Sequence, residues 1–98
     1  MTLALVIDPE AESDYEEAYN FYESRQFGLG EDFGDAVEAV FNRITKSPKF
    51  YGLVHKTTRR GLVIGFPFCV YYQVESIRIR VISVFHTSRD PSIWQSRV

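Results

Sequence analysis

The chain has 98 residues and a formal net charge of −2, with 45% hydrophobic and 15% aromatic residues. This length predicts one domain, residues 1–98, which can bury roughly 60 to 70% of the surface that its unfolded chain exposes. The composition excludes a disordered chain, and the overall acidity argues against a protein that binds nucleic acid unselectively through charge.

The apolar segments indicate a soluble protein. Runs such as LALVI and GLVIGFPF have the length of strands and fall far short of the roughly 20 residues that span a bilayer. The first ten residues show neither a basic leader nor a cleavage site of small residues, so we expect no secretion signal. The single Cys69 cannot form an internal disulfide and is interpreted as a small apolar strand residue, which together predicts a cytoplasmic protein.

Charge is divided unevenly along the chain. Residues 1–41 contain eleven acidic residues and one arginine, a net charge of −10, whereas residues 42–98 contain ten basic and two acidic residues, a net charge of +8. The second half therefore indicates a cationic working surface, although solvated helix faces explain the acidic half equally well.

The first predicted elements are a strand and a helix. TLALVI predicts a strand that ends at Asp8 and Pro9. Asp8 then suits the N-cap, where its carboxylate accepts backbone N–H groups, and Pro9 suits the first helical position. The helix is predicted to run to about Ser24. Its buried stripe is predicted at Ala11, Tyr15, Ala18 and Tyr22.

A second amphipathic helix follows the loop RQFGLG and ends before Ser47 and Pro48. Its apolar positions are Leu29, Phe33, Val37, Val40, Phe41 and Ile44. Because the loop is short, the two helices should pack as an antiparallel hairpin.

Three further strands are predicted from the period of TTRRGLVI, FPFCVYYQV and IRIRVISVFH. Glu75 and Ser76 form the turn that makes the last two strands a hairpin. The predicted fold class is therefore α+β, two-layer, with the order β-α-α-β-β-β and both helices on one sheet face.

Alternation along the strands separates a core face from an open face. The residues predicted to face the core are Leu62, Ile64, Phe66, Phe68, Val70, Tyr72, Val74, Ile77, Ile79, Val81 and Phe85. The residues predicted on the open face are Arg59, Val63, Cys69, Tyr71, Gln73, Arg78, Arg80, Ile82, Val84 and His86. Since that face mixes cations with apolar side chains, we expect something to cover it.

These features together resemble the RelE/ParE family of bacterial type II toxin–antitoxin toxins, in particular its ParE-like, plasmid-stabilisation branch, over nearly the whole chain. The stretches that carry the resemblance are DPEAESDYEEAYNFYE, the pair Arg59–Arg60, FPFCVYYQV and VFHTSRDPSIWQSR. The resemblance implies a mainly antiparallel sheet under the helical hairpin. It also implies a growth-inhibiting toxin, with no cofactor and no metal, neutralised in a hetero-oligomer by a cognate antitoxin that lays a segment across it.

The resemblance leaves the target open. ParE-like toxins poison DNA gyrase, RelE-like toxins cut mRNA in the ribosome, and a degenerate member would only bind its antitoxin. The residues predicted to contact a target or antitoxin are Arg59, Arg60, Tyr71, Arg78, Arg80, His86 and Arg89.

A nuclease would need a base for the 2′-hydroxyl, an acid for the leaving group and cations for the phosphorane. Its candidate residues are Arg59, Arg80, His86 and Arg89. Trp94 stands where a nuclease of this type would present a proton-transferring side chain, and indole cannot transfer a proton. We therefore favour a protein-binding toxin directed at gyrase, although Gly65 replaces a basic residue that many relatives carry.

Each candidate also has a structural alternative. His86 can hydrogen-bond the turn that follows it, and Arg78 and Arg80 can be edge charges that oppose sheet-to-sheet pairing. Arg59 and Arg60 can form salt bridges with the acidic helices, and His55 is predicted to be solvated.

The last segment predicts a cover. Asp90 and Pro91 indicate a turn or a short helix, with Asp90 paired to Arg89 or Arg97. Trp94 should then fold back over Ile82, Val84 or a neighbouring core edge and remove a large apolar area from water.

Overall fold

The computed structural model describes residues 3–98 and confirms a two-layer α+β fold; Thr2 of the predicted first strand lies outside this range. The elements are β1 (Ala4–Ile7), α1 (Pro9–Arg25), α2 (Leu29–Lys46), β2 (Leu53–His55), β3 (Thr58–Leu62), β4 (Phe68–Val74), β5 (Arg78–His86) and α3 (Ser92–Gln95). The sheet order is β1-β5-β4-β3-β2, with β1 parallel to β5 and every other pair antiparallel.

Strand β2 is an element that the sequence pattern did not predict. It has three residues, pairs with β3 through Leu53 opposite Arg59, and is irregular before His55. So short a strand shows no measurable alternation, so the sequence pattern gives no signal for it.

The main core lies between the helices and the sheet, and the predicted stripes point into it. Ala11 and Ala18 of α1 are buried, and Tyr15 and Tyr22 are half-buried. Helix α2 contributes its fully buried positions Phe33, Val37, Val40 and Ile44. The Phe33 ring lies 5.3 Å from that of Tyr22, which joins the two helices through aromatic contact.

The helix hairpin depends on two glycines. Gly28 has a φ of 86°, a left-handed conformation that glycine adopts without steric cost, and a Cβ on Gly30 would lie 2.9 Å from the Tyr19 carbonyl oxygen. The backbone N–H groups of both glycines donate to the Glu23 carboxylate, at 3.0 and 2.9 Å. Glu23 thereby satisfies donors at the start of α2 that have no partner within the helix.

A β-bulge reverses the faces of the second half of β5. Tyr71 pairs with Ser83 but Tyr72 pairs with Val81, so Ile82 is the extra residue. Ile79 and Val81 face the helices as predicted. Beyond the bulge, Val84 lies in the core under the helices and Phe85 lies on the opposite face, so the predicted faces of Val84, Phe85 and His86 are wrong.

The predicted faces of β3 and the residues after it are also wrong. Val63 is buried in the core, whereas Leu62 and Ile64 are 52% and 75% exposed. Arg59 pairs with the core residue Tyr72 and so lies on the helix-facing side. The physical reason is Gly61: a Cβ there would lie 2.8 Å from Val40 Cγ1, so this inward position has no side chain and the apolar period is hidden.

Candidate functional site

The outer face of the sheet, which we define as the face away from α1 and α2, carries polar side chains from three strands. Arg80 pairs with Gln73 and Gln73 with Thr58, so the three form one cross-strand row. Gln73 Nε2 donates to Thr58 Oγ1 at 3.2 Å. The next row contains Arg60 opposite Tyr71.

Arg80 is held by an ion pair with Asp8. Its Nε donates to both carboxylate oxygens at 3.0 and 2.9 Å, and Nη2 lies 2.7 Å from Oδ2. The hydrogen bond that Arg80 donates to Asp8 is the main reason that the pKa of Arg80 is raised. The Asp8 side chain makes no cap hydrogen bond to α1, so the predicted N-cap contact is wrong: the carboxylate is taken by the guanidinium instead.

The other predicted arginines of the sheet differ in their surroundings. Arg78 pairs with Glu75 in the exposed turn before β5. Arg59 Nη1 donates to the Tyr51 carbonyl oxygen at 2.7 Å on the helix-facing side, away from the predicted open face. Arg60 is exposed on the outer face, and within residues 3–98 it has no carboxylate in ion-pairing distance.

The outer aromatic cluster consists of Cys69, Tyr71, Phe85 and Trp94. Trp94 is 3% exposed and stacks on Tyr71, with ring centroids 4.0 Å apart and an interplanar angle of 19°. The rings of His55 and Trp94 are perpendicular, with centroids 5.7 Å apart, and His55 is half-buried, so the prediction that it is solvated is wrong. Burial raises the pKa of Cys69 and of Tyr71. The prediction that Trp94 folds back and is buried is confirmed, but its stacking partner is Tyr71 and not the predicted Ile82 or Val84; Val84 belongs to the core under the helices.

The C-terminal cover, residues 88–98, is tied to α1 through an ion pair that the sequence analysis missed. Arg97 Nη1 lies 2.7 Å from Asp14 Oδ2, and Nη2 lies 3.3 Å from Oδ1; we call this pair the Asp14–Arg97 clasp. The same carboxylate accepts from Ser83 Oγ at 2.9 Å and from the Val84 backbone N–H at 3.3 Å. The clasp therefore closes around the part of β5 that β1 does not reach.

A signal for the clasp was present in the sequence. Asp14 lies three residues after Ala11 and four before Ala18, on the helix face that also carries the buried stripe. A carboxylate at such a position needs a partner. The predicted pairing of Asp90 with Arg89 or Arg97 is wrong: Asp90 accepts from the Ser92 backbone N–H, which is the main reason that its pKa is lowered.

A second surface, the α1–β5 groove, has a volume of about 390 Å³. Its floor contains Ala18, Tyr22, Phe68 and Val84. Asp14 and Glu17 lie on one rim, and His86 and Arg89 lie on the other. His86 belongs to this helix-facing groove and not to the outer face, because the bulge at Ile82 reverses its direction.

His86 and Arg89 make local contacts at the rim. His86 Nδ1 lies 3.0 Å from the Ser88 backbone nitrogen and 2.8 Å from Ser88 Oγ, which is the turn contact considered as its structural alternative. The Arg89 guanidinium lies over the Phe85 ring, 4.5 Å from the centroid.

The predicted site residues do not form one cluster. Arg60, Tyr71, Arg78 and Arg80 belong to the outer face, and Tyr71 is covered there by Trp94. His86 and Arg89 lie at the α1–β5 groove, and Arg59 lies on the helix-facing side near Tyr51.

Two classes of feature are missing from the described residues. No helix between residues 3 and 98 is long and apolar enough to cross a membrane. In the same range, no group of three or more His, Cys, Asp or Glu side chains is placed to hold a metal ion.

Comparison with known proteins identifies the family. The family model described as the ParE toxin of the type II toxin-antitoxin system, parDE, matches residues 5–91. The chain belongs to the ParE toxin family. The predicted resemblance is thus confirmed, and this ParE-family chain is a toxin of a type II toxin–antitoxin system.

A solved structure supports the fold of this ParE-family toxin. This toxin is similar to a chain in the solved structure of the chromosomal ParDE TA system from P. aeruginosa, with a TM-score of 0.65 and 14% sequence identity. The match covers 89% of this chain and 98% of that chain. The search of curated proteins gives no match. The family match includes Asp14 of the clasp and ends before Trp94 and Arg97.

Proposed function

We propose that this ParE-family toxin inhibits growth by binding DNA gyrase in the cytoplasm, without a cofactor, and that a cognate antitoxin neutralises it in a hetero-oligomer. The observation that carries the proposal is the separation of the four candidate nuclease residues, Arg59, Arg80, His86 and Arg89. A protein-binding toxin needs an extended surface, whereas a nuclease needs these groups around one phosphate.

The distance between these residues is much larger than the distance over which two groups can act on one substrate. Arg80 and His86 are six positions apart on β5, about 20 Å along an extended strand. They also lie on opposite sheet faces, and Arg80 is engaged by Asp8. General acid–base catalysis needs its groups within hydrogen-bonding distance of one substrate, so this set does not support RNA cleavage.

The outer face supports protein binding instead. Arg60 is exposed, and the neighbouring Leu62 and Ile64 are more than half exposed. Strands β2 to β5 and the segments that follow them belong to the half of the chain with a net charge of +8. A cationic surface with exposed aliphatic side chains complements an acidic, partly apolar segment of a target or antitoxin.

The proposal is tested with purified protein in a gyrase supercoiling assay. We expect the wild-type chain to inhibit supercoiling, and Arg60→Glu to raise the inhibitory concentration about tenfold or more because it reverses charge at the proposed contact. Lys49→Glu is the matched control, since Lys49 is an exposed cation in the loop after α2 and outside the outer face. It should leave inhibition unchanged.

Transcript mapping after expression from a tight promoter distinguishes the alternatives. Inhibited supercoiling with intact mRNA ends supports the proposal, and His86→Ala should not alter it. Codon-linked mRNA cuts that disappear in His86→Ala or Arg80→Ala would establish the nuclease alternative. Harmless expression with full gyrase activity would identify a degenerate member that only binds its antitoxin.

A further inference from the structure

The C-terminal cover is attached to the rest of the fold at few places. Residues 88–93 are exposed, and Trp94 is its one buried side chain among the described residues. Most hydrogen bonds of the cover join it to itself or to His86, where it begins. Arg97 is the exception, because it reaches Asp14 and the Ile82 carbonyl oxygen.

The Asp14–Arg97 clasp is therefore the main polar attachment of the cover to α1. The two side chains are 12% and 20% exposed, so the pair is only weakly screened by solvent. Asp14 is itself fixed by Ser83 and Val84, which means that its carboxylate stays in position when Arg97 leaves. Asp14 is therefore the fixed partner of the clasp, and Arg97 is the partner that moves with the cover.

The docking of Trp94 includes an unfavourable contribution. Its Nε1–H group is buried, and no acceptor for it lies among residues 3–98. An indole N–H that loses water without gaining an acceptor opposes burial. The closed position consequently depends on the stacking of Trp94 on Tyr71, on the contact of Arg89 with the Phe85 ring and on the clasp, and not on a saturated hydrogen-bond network.

We propose that residues 88–98 form a hinged cover that the Asp14–Arg97 clasp holds closed, and that its opening exposes Tyr71, Cys69 and Phe85 while the remaining fold stays intact. The hinge lies at Thr87 and Ser88, between the end of β5 and the exposed part of the cover. Opening uncovers an aromatic surface beside Arg60 on the outer face.

The cover also explains how Tyr71 can contact a partner. Tyr71 is 7% exposed in the closed position, so a partner protein reaches it only after Trp94 has left. This step rests on the proposed function, in which the outer face binds a target or antitoxin. The opening itself is a property of the isolated chain.

The chain contains one cysteine and one tryptophan, and both belong to the outer aromatic cluster. Cys69 is 2% exposed, so its reaction with a thiol reagent such as dithionitrobenzoate reports opening. We expect Arg97→Ala to react about tenfold faster than the wild type, which corresponds to a loss of roughly 1.4 kcal/mol of closing free energy. Trp94 fluorescence should shift to longer wavelength in the same variant.

Arg78→Ala is the matched control, because it removes an arginine of the outer face whose ion pair among residues 3–98 is with Glu75 in an exposed turn. Cys69 should react at the wild-type rate in this variant. In Arg97→Lys, which keeps the charge without the bidentate contact, the rate should lie between those of the wild type and Arg97→Ala. The rates are measured in low urea, where local opening responds weakly to denaturant and global unfolding responds strongly.

Two results would overturn the proposal. One is an unchanged Cys69 reaction rate in both Arg97 variants. The other is a reaction rate that rises with urea as steeply as global unfolding does, since exposure would then require the whole fold to open. Neither measurement involves gyrase, so failure of the cover and failure of the proposed target remain distinguishable.

Discussion

At Trp94, apolar burial and hydrogen bonding act in opposite directions. Stacking on Tyr71 removes a large ring from water, which favours the closed cover. The buried Nε1–H without an acceptor opposes it. The stacking contribution and the cost of the buried Nε1–H can be measured separately with substitutions that remove one of them and keep much of the other.

Replacing Trp94 with alanine should lower the free energy of unfolding by about 3 to 5 kcal/mol, because it removes the ring and leaves a cavity in the outer aromatic cluster. Trp94→Phe should cost clearly less, since it keeps a stacked ring and removes the unpaired N–H. Both values are obtained from urea denaturation followed by far-ultraviolet circular dichroism. A loss below about 1 kcal/mol for the alanine variant would show that the cluster contributes little to stability.

At the scale of elements, the sequence predicted both helices closely and the faces of β3 and β5 less well. The stripes of α1 and α2 span four to five turns, so the 3.6-residue period was measured many times. In the sheet, one inserted residue at Ile82 and one inward glycine at Gly61 reversed the assignment of faces. Short strands give too few positions to detect such a change.

The candidate site was predicted in composition but not in arrangement. Trp94 as a cover followed from its size and its place after the last strand. The partner of Arg97 lies 83 residues away at Asp14, and nothing in local sequence fixes so distant a pairing. The same applies to Asp8, which the local pattern assigned to a helix cap and the fold assigned to Arg80.

The packing of α1 against α2 gives a prediction at this scale. Gly30→Ala should lower the free energy of unfolding by about 1 to 3 kcal/mol, because the new methyl group meets the Tyr19 carbonyl oxygen and forces the helices apart. Gly52→Ala is the control, since a Cβ there has no neighbour within 4 Å. Its stability, measured by the same urea denaturation, should be unchanged or slightly increased. Equal losses in the two variants would mean that the close helix contact is unimportant.

For the whole molecule, the division of charge along the sequence becomes a division between layers. Most acidic residues belong to α1 and α2, and most arginines of the second half belong to β3, β5 and the C-terminal cover. The ion pair Asp8–Arg80 joins the start of α1 to β5, and the ion pair Asp14–Arg97 joins α1 to the C-terminal cover. The helices therefore present negative charge to solvent, and Arg60 is the outer-face arginine that has no carboxylate partner among residues 3–98.

Stability should decrease at alkaline pH. Burial raises the pKa of Cys69 and of several tyrosines above their ordinary values of 9.0 and 10.0. The tyrosines concerned are Tyr15, Tyr22, Tyr71 and Tyr72. Above pH 9 to 10 the unfolded chain releases these protons before the folded chain does, so the free energy of unfolding falls as pH rises.

Urea denaturation at pH 7.5, 9.5 and 10.5, at constant ionic strength, measures this decrease. The contribution is fully present below pH 9, and Tyr71→Phe should lose less stability over the same range because one of the groups is gone. A free energy of unfolding that stays constant or rises up to pH 10.5 would contradict the burial of these side chains.

The position of β5 between β1 and β4 in the sheet has a consequence for synthesis of the toxin. β1 is synthesised before the other described strands, but its only partner strand in the described sheet is β5, which is synthesised after all of them. The helical hairpin must likewise wait for β4 and β5 to cover its apolar stripe. A nascent chain can therefore complete this sheet only after β5 has been synthesised, so any activity that depends on the outer face is delayed until then.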